Sequence, residues 1–461
     1  MDEHIGTLVV FGALGDLAKR LLLPGLGQLL DHRKHKDFQL IGVGTNKFSD
    51  AKWRDEVRKS FASAGASGSG SSRVADSATY VQADVTTPVG LKRVFAACSG
   101  VPAFYFALPP AVTMASCEAM KTLSLPEHSV FGMEKPFGTD LRSAIELNRL
   151  VATVIPEDSV HRVDHFLGKS TVLNLLGLRF ANRVFEQVWN RDNVAKVEIF
   201  FDEQLALEGR AGYYDKAGAL VDMIQSHLLL VMAVVAMEAP SSIDAGDLRG
   251  AMAQALRATR VWGGDAASAS RRARYTAGTV SGESIPSYTD EPGVTPKRNT
   301  ETLAEVTFEV QNWRWAGVPF VLRSGKALGD TRKNIVITFK DVPHLPGGFS
   351  GPSGQSQLRI GLGPDEIELG VRINGEGDPF TLDPVKLSTS FARGELPPYG
   401  EVLSGIMRDD PTFSVRSDEV EECWRIVTPV LAAWAKNDVP IDEYPAGSTG
   451  PEAWMSTPGL A

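Results

Sequence analysis

The chain has little cysteine, no long uninterrupted apolar stretch and no excess of basic side chains, and each shortage removes a class of function. Three cysteines in 461 residues, Cys98, Cys117 and Cys423, are too few and too scattered for a disulfide framework or a tetrahedral metal site. No metal is expected, and the thiols read as reduced in a cytoplasmic protein. The longest apolar run, Leu228 to Met237, is about half the length that spans a bilayer and reads as a buried helix. The N-terminus lacks a basic segment followed by a long apolar region, so no membrane partner is expected. Lys and Arg number 47 against 56 Asp and Glu, a formal charge of −9. That balance argues against a nucleic-acid surface, which needs a basic patch to neutralise phosphates.

The length itself exceeds one ordinary core and suggests two domains. Near the N-terminus the β-prone run Thr7 to Phe11 feeds into Gly12-Ala13-Leu14-Gly15-Asp16-Leu17-Ala18 and then a helical pattern from Leu21 to Leu30. Strand, glycine turn and helix in that order make a phosphate-binding βα unit. Gly12 allows the tight turn, and Gly15 lets backbone approach a pyrophosphate over the helix start. Leu40 to Gly44 reads as the second strand, and its end, Thr45-Asn46-Lys47, carries neither the carboxylate that suits NAD nor the arginine that suits NADP. Lys47 is the only nearby cation, as readily a solvated loop residue as a phosphate contact.

Ser63 to Ser72 reads as a flexible Gly/Ser/Ala loop. The strand-like runs Tyr80 to Val85 and Ala103 to Pro110, separated by a helical stretch from Gly90 to Ala97, imply a parallel sheet wound with helices. Its strand ends would put Asp84, Val85, Ala107 and Pro109 along a nicotinamide cofactor, with Lys135 of Glu134-Lys135-Pro136 in the same crevice.

The densest chemistry lies in Arg162-Val163-Asp164-His165-Phe166-Leu167-Gly168-Lys169. An extended Val163 to Leu167 would turn Asp164 and His165 to opposite sides. Ser170 and Thr171 read as hydroxyl caps of a following helix, so Lys169 would stand at a helix start, a plausible phosphate seat beside His165. The bland alternative is a charged corner with a surface salt bridge. From Val194 onward, longer alternating runs suggest a largely antiparallel sheet with helices on one face. Within it, Ala219 to Met237 reads as one helix carrying Asp222 and His227, five residues and about 140° apart on an α-helix. A histidine entering so apolar a helix is more often packed core than catalyst. Glu203 and Lys326, each alone, read as solvated charges.

Together these residues resemble the glucose-6-phosphate dehydrogenase family from about Leu8 to about Pro440. The resemblance rests on GALGDLAKR at Gly12, EKPFG at Glu134, RVDHFLGK at Arg162, EGRAGYYD at Glu208, DMIQSH at Asp222, AMEAP at Ala236 and VPFVLRSGK at Val318. It implies an α/β Rossmann-type dinucleotide-binding domain over residues 1–168. An α+β domain over 169–461, with a large mixed, mainly antiparallel sheet, would serve substrate binding and dimerisation. His227 would be the general base at the C1 hydroxyl of glucose 6-phosphate, and Asp164 would steady its positive charge. His165 and Lys169 would bind phosphate, while Lys135, Glu203, Asp222 and Lys326 hold the sugar phosphate. Gly12, Ala13, Gly15, Asp16, Leu17, Thr45, Lys47, Asp84, Val85, Ala107 and Lys135 would hold NADP, with NAD possible. The product would be 6-phosphogluconolactone, in the oxidative pentose phosphate pathway.

The chemistry agrees, since oxidising a hemiacetal needs a base near neutral pKa and a carboxylate to stabilise its imidazolium. Four positions depart from the family's pattern: Leu14 for serine, Thr45 for arginine, Phe166 for tyrosine and Thr331 for a second lysine, with Arg332 and Lys333 just beyond. Two alternatives stay open: a dehydrogenase for another hexose or amino-sugar phosphate, and a catalytically silent cofactor-binding regulatory protein.

Overall fold

The computed structural model describes residues 5–32, 38–207, 209, 211–375, 377–391, 394 and 396–455. It divides into two compact units. The first is Met1–Lys169 with Pro240–Ala251 and Arg393–Glu421, and the second is Ser170–Ala239 with Met252–Ala392 and Glu422–Ala461.

The first unit is built on six parallel strands: β1 (Thr7–Phe11), β2 (Gln39–Gly44), β3 (Thr79–Gln82), β4 (Pro102–Phe106), β5 (Val130–Met133) and β6 (Val160–Val163). They lie in the order 6-5-4-1-2-3, and Ser414–Val415 adds a short antiparallel strand beside β6. Every residue of β1, β4, β5 and β6 is buried, as parallel strands covered on both faces require. The expected loop at Ser63–Ser72 is a correction. Helices Asp50–Ser63 and Ser69–Ser77 occupy much of it. The second helix starts because the Asp31 carboxylate, far upstream, accepts the Gly68 and Ser71 N–H groups at 2.8 and 3.1 Å, a cap that local sequence does not reveal.

In the second unit a ten-stranded mixed sheet runs Leu382–Ser390, Glu366–Asn374, Gln357–Gly361, Lys333–Phe339, Val194–Asp202, Phe320–Gly325, Leu303–Val310, Ser270–Thr276 and Ile441–Pro445, with Thr259–Val261 also on Leu303–Val310. Two pairs, Val194–Asp202 with Phe320–Gly325 and Ser270–Thr276 with Ile441–Pro445, are parallel. The remaining pairs are antiparallel.

The helix expected over Ala219 to Met237 has a different geometry. Ala211–Ala219 is interrupted at Gly218 (φ 67°, ψ 175°), Leu220–Leu228 is π-helical, and Leu229–Ala236 is α-helical and buried throughout. A π-helix closes its backbone bonds from i to i+5, so residues five apart stand about one turn above each other. Asp222 and His227 therefore share a face instead of lying about 140° apart.

Candidate active site

All six parallel strands of the first unit end on one edge, and chain order reverses between β1 and β4, the position where open α/β sheets receive ligands. The glycine turn leaves β1 there. Gly12 has φ 73°, and a Cβ on it would lie 2.3 Å from the Ala107 carbonyl oxygen. The turn is closed by Gly15 N–H donating to Gly12 O at 2.9 Å and Ala13 N–H to Val43 O at 3.1 Å. Asp16 is exposed and Leu17 half-buried; both are already helical, and a π-helical stretch follows over Ala18–Leu22. This cradle, filled by any larger side chain at Gly12, fits a dinucleotide's pyrophosphate. Thr45 and Lys47 follow β2 in the open, and Gln82 Nε2 donates to Thr45 O at 3.0 Å. Asp84 is exposed, its carboxylate taken up by the Thr86 hydroxyl at 2.6 Å and the Thr86 N–H at 3.0 Å, which hold it below the usual carboxylate range. Val85 is buried and Ala107 half-buried beside the turn.

β6 ends at Val163, and residues 164–169 form a turn, so the alternation expected over Val163 to Leu167 does not apply. The Asp164 carboxylate accepts the Phe166 N–H at 2.9 Å, and Leu167 N–H reaches Asp164 O at 3.2 Å. A carboxylate that can bond its own backbone two residues on makes such turns. Phe166 is buried, with Lys169 Nζ 4.4 Å above its ring and the His165 ring edge-on at 5.0 Å. Ser170's side chain, Glu208 and Arg210 lie outside the described residues. Thr171 is not the expected cap: its hydroxyl is buried and, among the described residues, has no hydrogen-bond partner.

Three residues of the first unit join the cluster without having been assigned a role from sequence. Glu134 accepts hydrogen bonds from the Tyr105 and Tyr399 hydroxyls. The Tyr399 ring stacks on His165 with centroids 5.9 Å apart and planes 16° apart. Burial pushes the Glu134 carboxyl up to about 7, opposed by the two tyrosines and Lys135 and reinforced by Asp164. A glutamate next to a lysine at the end of an apolar strand was the available signal. Tyr399, 234 positions after His165, had none.

In the second unit Glu203 follows the end of Val194–Asp202, and Lys326 follows Phe320–Gly325, the parallel strand beside it. Lys326 Nζ lies 2.9 Å from one Glu203 oxygen and Lys333 Nζ 3.5 Å from the other. Glu203 and Lys326 line a small cavity with Leu205, Leu207, Tyr213 and Tyr214. Arg332 is committed elsewhere: it bonds Asp202 at 3.1 and 3.0 Å and lies 4.3 Å above Phe200. The cation that joins Lys326 is therefore Lys333. Asp222 is half-buried and His227 buried on the π-helical segment. Among the described residues no group of three or more His, Cys, Asp or Glu side chains is arranged to hold a metal.

Family models match both parts of the chain: glucose-6-phosphate dehydrogenase, NAD binding domain, over residues 9–174, and glucose-6-phosphate dehydrogenase, C-terminal domain, over residues 176–457. The chain belongs to the glucose-6-phosphate dehydrogenase family. Among its relatives, the glucose-6-phosphate 1-dehydrogenase of Rhizobium meliloti (strain 1021) is 37% identical over 464 residues, covering 96% of this chain and 94% of the relative. That of Treponema pallidum (strain Nichols) is 35% identical over 481 residues, covering 97% and 92%. The crystal structure of glucose-6-phosphate 1-dehydrogenase from Mycobacterium avium superposes with a TM-score of 0.86 at 32% identity, over 98% of this chain and 96% of that one. A glucose-6-phosphate dehydrogenase in complex with its substrate glucose-6-phosphate gives 0.89 at 28% identity, over 99% and 97%. The Rossmann-type sheet and the large mixed sheet are thus those of glucose-6-phosphate dehydrogenases.

Proposed function

We propose that this chain oxidises glucose 6-phosphate at C1 to 6-phosphogluconolactone, using NADP, with NAD as a second acceptor, in the oxidative pentose phosphate pathway. The observation that carries the reading is the family match across both units, joined to a glycine turn whose geometry admits only glycine at position 12. When bound, the nicotinamide supplies the hydride acceptor.

Each residue then has its task, and Lys135 has two. His227 takes the C1 hydroxyl proton, which a neutral imidazole does near neutral pH, and Asp164 steadies the imidazolium so formed. His165 and Lys169 hold phosphate. Lys135, Glu203, Asp222 and Lys326 hold the sugar phosphate, and Gly12, Ala13, Gly15, Asp16, Leu17, Thr45, Lys47, Asp84, Val85 and Ala107, with Lys135, hold the dinucleotide. We assign residues 1–168 to cofactor binding and 169–461 to substrate binding and dimerisation, in a cytoplasmic homodimer. Exposed Ile373, Phe380 and Leu387, on or beside the edge strand Leu382–Ser390 and its neighbour Glu366–Asn374, support a second copy there.

Steady-state kinetics of the purified protein with NAD and NADP on glucose 6-phosphate test the reading. Cofactor binding with no turnover of any sugar phosphate would overturn it. Phe166 and Thr331 favour one second reading, another hexose or amino-sugar phosphate, and a comparison of rates across sugar phosphates separates the two.

A further inference from the structure

Three consecutive residues ahead of strand Leu303–Val310 fasten separate parts of the second unit's candidate site. Thr300 Oγ1 donates to Asp215 O at 2.6 Å. Glu301 accepts the Leu220 N–H on its carboxylate at 3.0 Å and the Ala219 N–H on its carbonyl at 3.3 Å. Thr302 O accepts the Lys326 N–H at 2.9 Å, and Tyr444, bonded to the Thr302 hydroxyl at 2.9 Å, donates to Lys326 O at 2.7 Å. Adjacent residues of one chain thus hold the start of the segment bearing Asp222 and His227 and the backbone of Lys326.

Glu301 is the unusual member, because it is a nearly buried carboxylate. The helix Ala211–Ala219 is broken at Gly218, and Leu220, the first residue of the π-helical segment, presents its N–H to Glu301. Gly218 is fitted to that carboxylate: a Cβ there would lie 2.3 and 2.7 Å from its two oxygens. A hydroxyl or amide would satisfy the same N–H without burying a charge. What the carboxylate adds is a negative charge at the positive end of a helix. We infer that Glu301 is a positioning residue, whose charge fixes the start of the helix bearing Asp222 and His227 in register with Lys326.

Burial pushes the Glu301 carboxyl up to about 7, against the lowering effect of the Leu220 N–H, its own N–H, Arg272 and the Ala219 N–H. Tyr214 and Tyr288 also face it. The charge therefore disappears as pH falls through neutrality, and with it the charge's share of the hold on the helix start, while the neutral carboxyl keeps an acceptor for the Leu220 N–H.

The inference rests on the roles proposed for Asp222, His227 and Lys326, and two measurements on the intact protein keep the two apart. In steady-state kinetics Glu301→Gln should lower kcat for glucose 6-phosphate about tenfold or more, the scale of one charge-assisted hydrogen bond. The KM for NADP should stay within about twofold. The wild type should lose kcat more steeply than Glu301→Gln below about pH 7, and Glu301→Asp, which keeps the charge, should recover part of kcat together with that steeper loss. A kcat for Glu301→Gln within twofold of wild type, or equal damage in Glu301→Asp and Glu301→Gln with no change in pH profile, would overturn the inference. Hydrogen exchange supplies the second readout, independent of turnover. Amides 220–228 and 326 should exchange faster in whichever variant folds, and unchanged protection would also overturn it. A wild type that turns over no sugar phosphate while these amides respond as expected counts against the functional reading alone.

Discussion

His227 sits where the π-helical segment passes into the wholly buried Leu229–Ala236, the setting in which a histidine is commonly mere packing. Kinetics separate packing from catalysis. His227→Asn keeps a polar side chain of similar shape without a titratable nitrogen, so kcat should fall by about a hundredfold or more with the KM for glucose 6-phosphate near normal. A kcat within a few-fold of wild type would leave His227 a core residue. A second test concerns the two lysines on Glu203. Lys333→Met removes one of the cations and should raise the KM for glucose 6-phosphate by roughly tenfold, as a lost charge-assisted bond would, without raising that for unphosphorylated glucose. Arg332→Met should instead lower the thermal midpoint, because the buried Asp202 loses one of its two guanidinium partners, Arg323 remaining. Equal KM values for wild type and Lys333→Met would return the substrate cluster to Lys326 alone. Residue types at this scale were legible, but orientations were not. Asp164 and His165 looked like opposite faces of a strand until the Asp164 carboxylate closed a turn on Phe166 N–H.

At the scale of elements, apolar runs such as Thr7–Phe11 and Pro102–Phe106 announced buried parallel strands because nothing polar interrupts their burial. Ser270–Thr276 and Leu382–Ser390 gave weaker signals. The first carries three arginines that find partners across the sheet and chain, and the second contains Pro384 at an exposed edge. The π-helical geometry around Asp222 was illegible, since a sequence read at 3.6 residues per turn has no marker for it. The attachment of Arg393–Glu421 to the first unit was illegible too, because its contacts are made with residues hundreds of positions away. The tight turn at Gly12 was legible, and the seat proposed over it can be tested in two parts. Gly12→Ala forces a positive φ and a methyl 2.3 Å from Ala107 O, so it should lower the unfolding midpoint and raise the KM for NADP together. Gly15 is not at a positive φ, and a Cβ there meets only Gly12 O at 3.1 Å. Gly15→Ala should therefore raise the KM for NADP with little loss of midpoint, and an unchanged KM would remove Gly15 from the cofactor's seat.

Over the whole molecule, burial sets how stability follows pH. Glu134 and Glu419 in the first unit and Glu301 in the second have carboxyls pushed up by burial, to about 7, about 8 and about 7. An unfolded chain releases these protons near pH 4.5, while the folded chain holds them until higher pH. Between those limits the folded state binds more protons, so its stability is full below about pH 4.5 and declines as pH rises toward 7 to 8, by up to about 1.4 kcal/mol per pH unit for each such group. The carboxylates held low, among them Asp84, Asp140 and Asp265, act with the opposite sign but only near or below pH 4, outside that window. Denaturant midpoints should therefore fall from pH 5.5 to pH 8, measured separately for the two units, which need not unfold together. Glu419→Gln isolates one contribution. It keeps an acceptor for the Arg416 N–H that now bonds Glu419 at 2.7 Å and should flatten the pH slope of the first unit's transition, leaving the second unit's slope unchanged. Parallel slopes for wild type and variant would mean that Glu419 ionises in the fold at an ordinary pH, its burial offset by Arg249 and Arg416.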